Sequence, residues 1–254
     1  MANSGVWCEA DVAGRVCDVF EPPAGGGQSF AIVYLHDHIS PDERPTQGQA
    51  QASPLAAELA RRTLRTIAPW SGPSWWTDRI FPPFDAETST ERYVLERLLP
   101  YLAERWNARP PAVGLAGEGM GAQGALRLAL KHPREFPVVA AVSPAIDYYR
   151  QWNEEPSLAE LYRDAEAARQ DSATLHVHPL AWPRNMWFAC DPADSLWYDG
   201  ADRLRMKLAA LGIPFECDLE TSAHGNAVLY RQRMAQRAVD FLVARLEAES
   251  RRVV

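Results

Sequence analysis

Polar and apolar positions along this chain fall into alternating short and long blocks. Short apolar runs at 30–35, 66–69, 112–116, 137–142, 185–190 and 215–219 read as buried strands. Ahead of them, residues 6–20 read as two strands joined by a turn at 10–14, and Pro22-Pro23 with Gly25-Gly26-Gly27 breaks that pattern. Helical patterns lie between the strands. They cover 53–62, 88–106 with Ser89 or Thr90 as N-cap, 199–211 ended by Gly212, and 232–249. Residues 147–180 are polar with interspersed aromatics and read as an insertion holding one helix at about 157–169. Apolar strands alternating with helices imply an α/β chain with a mainly parallel sheet covered on both faces.

The stretch PAVGLAGEGMGAQGALRLAL at 111–130 organises the rest. A buried strand runs into Gly117-Glu118-Gly119-Met120-Gly121, and a helix follows with Leu126, Leu128, Ala129 and Leu130 on its inner side. A strand, a Gly-x-x-x-Gly turn and a helix form the setting of a nucleophile elbow. The middle residue of such a turn points its side chain at substrate, and it is normally Ser. Here it is Gly119, which has no hydroxyl to attack with.

Composition narrows the picture in a few places. At 254 residues the chain is long enough for one large α/β domain spanning 1–254. A formal net charge of −7 argues against nucleic acid and against an anionic membrane as partners. No apolar stretch is long enough to span a bilayer, and the first residues lack the basic and apolar regions of a signal peptide. Cys8, Cys17, Cys190 and Cys217 show no CxxC spacing, which suits reduced thiols and a cytoplasmic location.

Four segments resemble the esterase branch of the α/β-hydrolases, the group of esterase D, S-formylglutathione hydrolase and feruloyl esterases. They are YLHDH at 34–38, PSWWTDRIFPPFD at 73–85, GEGMGAQGALRLALKHP at 117–133 and CDPADSLWYDGADRLRMKLAALGIPFECDLETSAHG from Cys190. The resemblance implies an α/β-hydrolase fold with about eight strands and helices on both faces. It puts the nucleophile position at Gly119, the acid at Asp194 with Asp191 as the alternative, and the base at His224. It puts the oxyanion donors at the N–H of Met120 and of a residue near Asp37. The chain departs from the family pattern at Gly119, at Asp37 where Gly is usual, at Ala122, and around His224.

Three readings follow. One is an esterase-like pseudoenzyme that binds a small acyl or aryl ligand. Another is a Ser-independent ester hydrolase in which Glu118 and His224 hold a water for attack. The last is a non-enzymatic interaction protein, with a homodimer as one form. Trp75 and Trp76, with Tyr148, are candidates for the wall of an aromatic pocket. His36-x-His38 and His176-x-His178 place pairs of imidazoles on one side of extended chain, a weakly specific metal signal. No metal and no cofactor are expected.

Overall fold

The computed structural model describes residues 5–23, 28–38 and 52–252. The glycine run at 25–27 lies outside them. Strands β1 (Val6–Val12) and β2 (Arg15–Glu21) form an antiparallel hairpin on the two-residue turn at Ala13 and Gly14. Then come β3 (Ala31–Leu35), β4 (Thr66–Pro69), β5 (Val113–Glu118), β6 (Val138–Val142), β7 (Asn185–Ala189) and β8 (Glu216–Asp218). They form an eight-stranded sheet in the order β1-β2-β4-β3-β5-β6-β7-β8, parallel from β4 onward. Strands β3 to β6 are buried along their whole length, as the continuous apolar runs require.

Helices cover the sheet in two layers. On one face lie α1 (Pro54–Arg61) and α9 (Ala227–Ser250), packed on Ile32, Tyr34, Ala116 and Val142. On the other lie α2 (Thr90–Tyr93), a π-turn (Val94–Leu98), α3 (Leu99–Trp106), α4 (Gly119–Lys131) and α8 (Tyr198–Ala210). Ser89 caps the first of these by accepting from Arg92 N–H at 3.2 Å. The chain passes from β3 through α1 to one side and from β5 through α4 to the other. Strands β3 and β5 are neighbours, so their carboxyl ends flank a switch point, the usual ligand position in open α/β sheets.

Three features differ from the sequence expectation. The insertion holds α5 (Tyr148–Gln151), α6 (Pro156–Leu161), α7 (Ala165–Gln170) and a short 3-10 turn (Ala173–His176) rather than one helix. The break falls where Tyr162 turns extended and Asp164 starts a new helix, its carboxylate accepting from Ala167 N–H at 2.7 Å. Helix α4 is buried from Gly119 to Leu130 on every side, because the insertion covers its polar flank. There Gln123 donates to Tyr148 OH at 2.8 Å and accepts from Ala173 N–H at 3.2 Å. Helix α9 starts at Ala227, five residues before the predicted Gln232. Its Asn226 cap accepts from Leu229 N–H at 3.0 Å.

Candidate functional site

The elbow is present in full. β5 ends at Glu118 and α4 starts at Gly119, whose φ of +55° lies in the left-handed region. Gly121 is required for a different reason. A Cβ there would strike the carbonyls of Leu35 and His36, so the end of β3 lies directly against the first turn of α4. That contact carries the 36–38 loop onto the elbow. Trp76 Nε1–H anchors the same loop by donating to His36 O at 3.3 Å.

Asp37 fills the space this creates. Its Oδ1 accepts from Met120 N–H at 2.8 Å and from His38 N–H at 2.7 Å. Its Oδ2 accepts from Arg231 Nη2 at 2.5 Å. A Cβ built on Gly119 would overlap Oδ1, Cγ and Oδ2 of this carboxylate. A helix N-terminus favours an anion, and here the chain supplies its own. The Met120 N–H is therefore engaged, and the volume of an elbow side chain is taken.

Arg231 ties this carboxylate to a second one. Its guanidinium lies 5.6 Å from the Trp197 ring centroid and carries positive charge to both Asp37 and Glu118. Glu118 is 1% exposed. Its Oε2 accepts from Tyr34 OH at 2.9 Å and from Ser53 Oγ, while Oε1 has no partner among the described residues. Burial pushes the Glu118 carboxyl up, and the Ser53 and Tyr34 hydroxyls and the Arg231 charge only partly offset it. His36 stays neutral for the same reason, its pKa pushed down to about 4 by burial. Its Nδ1 bonds Asp37 O at 2.6 Å and its Nε2 accepts from Ser71 N–H at 3.1 Å.

A cavity of about 400 Å³ opens beside these groups on the α1 and α9 face. The sheet register explains its floor. Glu9 pairs with Asp18, Asp18 with Ala68, and Tyr34 with Ala116, so one row of side chains crosses five strands. The next row up carries Val16, Trp70, His36 and Glu118. His36 and Trp70 stack there with ring centroids 4.7 Å apart. Val228, Arg231 and Gln232 of α9 and residues 52–54 at the start of α1 close the sides.

The comparisons with known proteins agree with this architecture. The family model described as Putative esterase matches residues 23–212. The chain belongs to this esterase family. Among solved structures, an S-formylglutathione hydrolase from Agrobacterium tumefaciens superposes with a TM-score of 0.73 at 17% identity, covering 97% of each chain. A fluorophosphonate-binding serine hydrolase from Staphylococcus aureus gives 0.68 at 14% identity, over 95% of this chain and 99% of its own. A ferulic acid esterase gives 0.68 at 15% identity, over 95% and 98%. Among curated proteins, none matches this chain in sequence.

Set on the esterase frame, the remaining expected site residues fall apart into separate roles. His224 sits after β8 with φ +56° and is exposed. Its backbone N–H donates to Ser222 Oγ at 2.9 Å, and its ring bonds no described residue. Asp194 accepts from Leu196 and Trp197 N–H at 2.9 and 3.0 Å, which caps the chain ahead of α8. Asp191 is the acid that reaches the His loop, but it holds backbone and not imidazole. It accepts from Ser222 Oγ at 2.8 Å, Ala223 N–H at 2.9 Å and Gly225 N–H at 3.1 Å. The expected Asp–His pair is not formed, and no hydrogen bond joins Glu118 to His224.

Trp75 and Trp76 are 1% and 0% exposed and form no part of the cavity wall. Both have φ near +55°, a conformation that L-residues adopt only when their surroundings hold it. Packing on the α4 side supplies that hold, with Trp75 Nε1–H donating to Ser157 Oγ at 3.0 Å. The tryptophan of the wall is Trp70. The two histidine pairs are also spread over separate partners. His176 bonds Asp171 at 2.8 Å, and His178 accepts from Leu180 N–H at 3.2 Å. Sequence reasoning missed Arg231, Tyr34 and Ser53. A cap at Asn226 would have put Arg231 early in the last helix, and the Asp37 departure already marked the other end of its ion pair.

Proposed function

We propose that this esterase-family chain forms no acyl-enzyme and binds a small aryl-bearing ligand in the cavity beside the elbow. One observation carries the reading: Asp37 Oδ1 lies 2.8 Å from Met120 N, at a turn whose central residue is Gly119. Acyl transfer at an elbow needs a nucleophile and N–H donors free to meet the oxyanion. Gly119 offers no nucleophile. Asp37 presents negative charge where an oxyanion would develop, so it would repel one as well as block its donor. The Arg231 guanidinium, paired with Asp37 at 2.5 Å, favours the closed arrangement.

The native protein is expected to hydrolyse p-nitrophenyl acetate no faster than buffer and to take no label from a fluorophosphonate probe. Turnover proportional to protein, lost in Asp37→Ala or His224→Ala, would overturn the reading.

A further inference from the structure

Two buried polar atoms of the cavity wall have no hydrogen-bond partner among the described residues, Glu118 Oε1 and Arg231 Nε. Such atoms are rare, and each is costly until a partner arrives. Arg231 Nε fixes what its partner must be. A guanidinium carries donors only, so the atom that meets this N–H is an acceptor. Its positive charge needs no further match, because Asp37 Oδ2 already takes Nη2 at 2.5 Å. Among the described residues of the wall, Arg231 is the only permanent cation. An anion entering here would lose its hydration without meeting an unpaired positive charge.

Glu118 offers the same kind of group. Burial favours its protonated acid, and Tyr34 OH and Ser53 Oγ both donate to Oε2. The oxygen that takes two donors is the carbonyl oxygen of the acid, and the proton then sits on Oε1. Oε1 is therefore a second donor without an acceptor. The hydroxyls beside it are spent on Oε2, and His36 Nε2 accepts from Ser71 N–H. The rest of the wall is largely apolar, with Trp70 stacked on His36 and Val16, Ala68, Pro69 and Val228 around them.

We propose that the cavity takes a small neutral aryl compound with a carbonyl oxygen, which accepts from Arg231 Nε–H and from the Glu118 carboxyl while the ring lies against Trp70 and Pro69. This rests on the reading of the cavity as a ligand site and names the polar group of the ligand. A carbonyl oxygen has two lone pairs, enough for both donors. An ammonium brings more donors to a place where donors are already in excess, and sets its charge beside the guanidinium. A carboxylate brings acceptors, but its charge finds no free counterion.

The test is titration calorimetry on the full chain with benzylacetone, phenethylamine and hydrocinnamate, which share a phenethyl body and differ in the polar group. Benzylacetone is expected to bind at least about tenfold more tightly than either ion. Glu118→Gln keeps an N–H in place of the acid O–H and is expected to hold benzylacetone within about twofold of the native affinity. Glu118→Leu removes that donor and is expected to weaken the ketone about tenfold. Arg231→Lys keeps a positive charge opposite Asp37 but has no Nε, and about a fivefold loss is expected. The inference is overturned if either ion binds as tightly as the ketone, if a folded Glu118→Gln loses about as much affinity as Glu118→Leu, or if Glu118→Leu and Arg231→Lys, both folded, bind the ketone like the native chain. Binding in the wrong order removes this inference and leaves the cavity reading standing, whereas no binding by any of the three removes both.

Discussion

Two of the groups of buried charged side chains among the described residues are built on different terms. One surrounds Arg127, which is 1% exposed. Asp171 Oδ1 accepts from its Nη2 at 2.6 Å, and Glu91 accepts from its Nη1. Glu91 also takes Lys131 at 2.7 Å and His132 at 2.9 Å, while Asp171 takes Tyr162 OH at 2.7 Å and His176 at 2.8 Å. Among the described residues, no buried side-chain atom of this group lacks a partner. The other group joins Asp37, Arg231 and Glu118, and it leaves Arg231 Nε and Glu118 Oε1 without one. Both groups combine carboxylates with a guanidinium and both adjoin a hollow, a polar one of about 360 Å³ beside Arg127, Lys131 and Asp171 and a largely apolar one of about 400 Å³ beside Glu118 and Arg231. A complete network ties α2, α4 and the insertion together. An incomplete one beside a void leaves something for a ligand to complete.

The sharpest way to break this comparison is to remove a carboxylate from each group. Glu91→Ala leaves Arg127 with Asp171 alone and takes the carboxylate from Lys131 and His132, and breaking a buried ion pair costs about 3–5 kcal/mol. For a chain of this size that is a melting temperature lower by roughly 10 °C in calorimetry. Glu118→Ala removes a group that is itself incompletely bonded, so its loss is expected to be well under half as large. Equal losses would mean that the two groups are the same kind of structure.

The second test uses the contact between Gly119 and Asp37. Gly119→Ser puts a side chain onto the Asp37 carboxylate at a φ that L-residues rarely adopt, and about 2 kcal/mol of destabilisation is expected from urea unfolding. In Gly119→Ser/Asp37→Gly the overlap is gone. The two changes should therefore be less than additive, by about 1–2 kcal/mol. Simple additivity would show that Asp37 swings aside at little expense. The single variant is expected to remain silent toward p-nitrophenyl acetate, because Asp37 still engages Met120 N–H.

The elbow group was half legible in the sequence. Glycine spacing at 117–121 and the departures at Gly119 and Asp37 are local signals, and all fall where β5 meets α4. The parallel strands were legible too, because burial on both faces writes itself as an unbroken apolar run. Arg231 was not legible, since its pairing with Asp37 spans 194 residues and no local pattern encodes a side-chain contact at that separation. Tyr34 looked like one more strand residue because its hydroxyl partner is on another strand. Trp75 and Trp76 misled for a physical reason: an aromatic in a proline-rich loop serves equally as pocket wall or as loop anchor, and composition does not distinguish them. The Arg127 network was invisible for the same reason as Arg231, and the insertion that carries Asp171 read only as a polar stretch with one helix.

Acid titration should separate the two groups by sign. Burial opposes ionisation of Glu91, but the hydrogen bond from His132 and the charge of Arg127 outweigh it and hold the carboxyl down at about 2. A folded pKa below the unfolded value gives stability that is present above pH 4.5 and lost as pH falls from there toward 2. Glu91→Gln should flatten that acid limb. Glu118 is shifted the other way by burial. Its unfolded form loses the proton near pH 4.5 while the folded form keeps it, so its contribution falls as pH rises through the window above 4.5. Glu118→Gln should therefore melt higher than the native chain at neutral pH or change little, and it should lose the downward slope. Stability curves against pH for the two variants check both directions.

The smallest expected effect belongs to His224, and it tests where the open group ends. The ring is exposed and bonds no described residue, and the loop beneath it is fixed by Asp191 through Ser222, Ala223 and Gly225. Removing the imidazole leaves all of these bonds in place, so His224→Ala should change stability by less than about 0.5 kcal/mol. The informative result would be the opposite one. A loss above about 1 kcal/mol in urea unfolding would mean that the imidazole, and not only Asp191, holds the loop after β8. The open group would then reach beyond the residues that line the cavity.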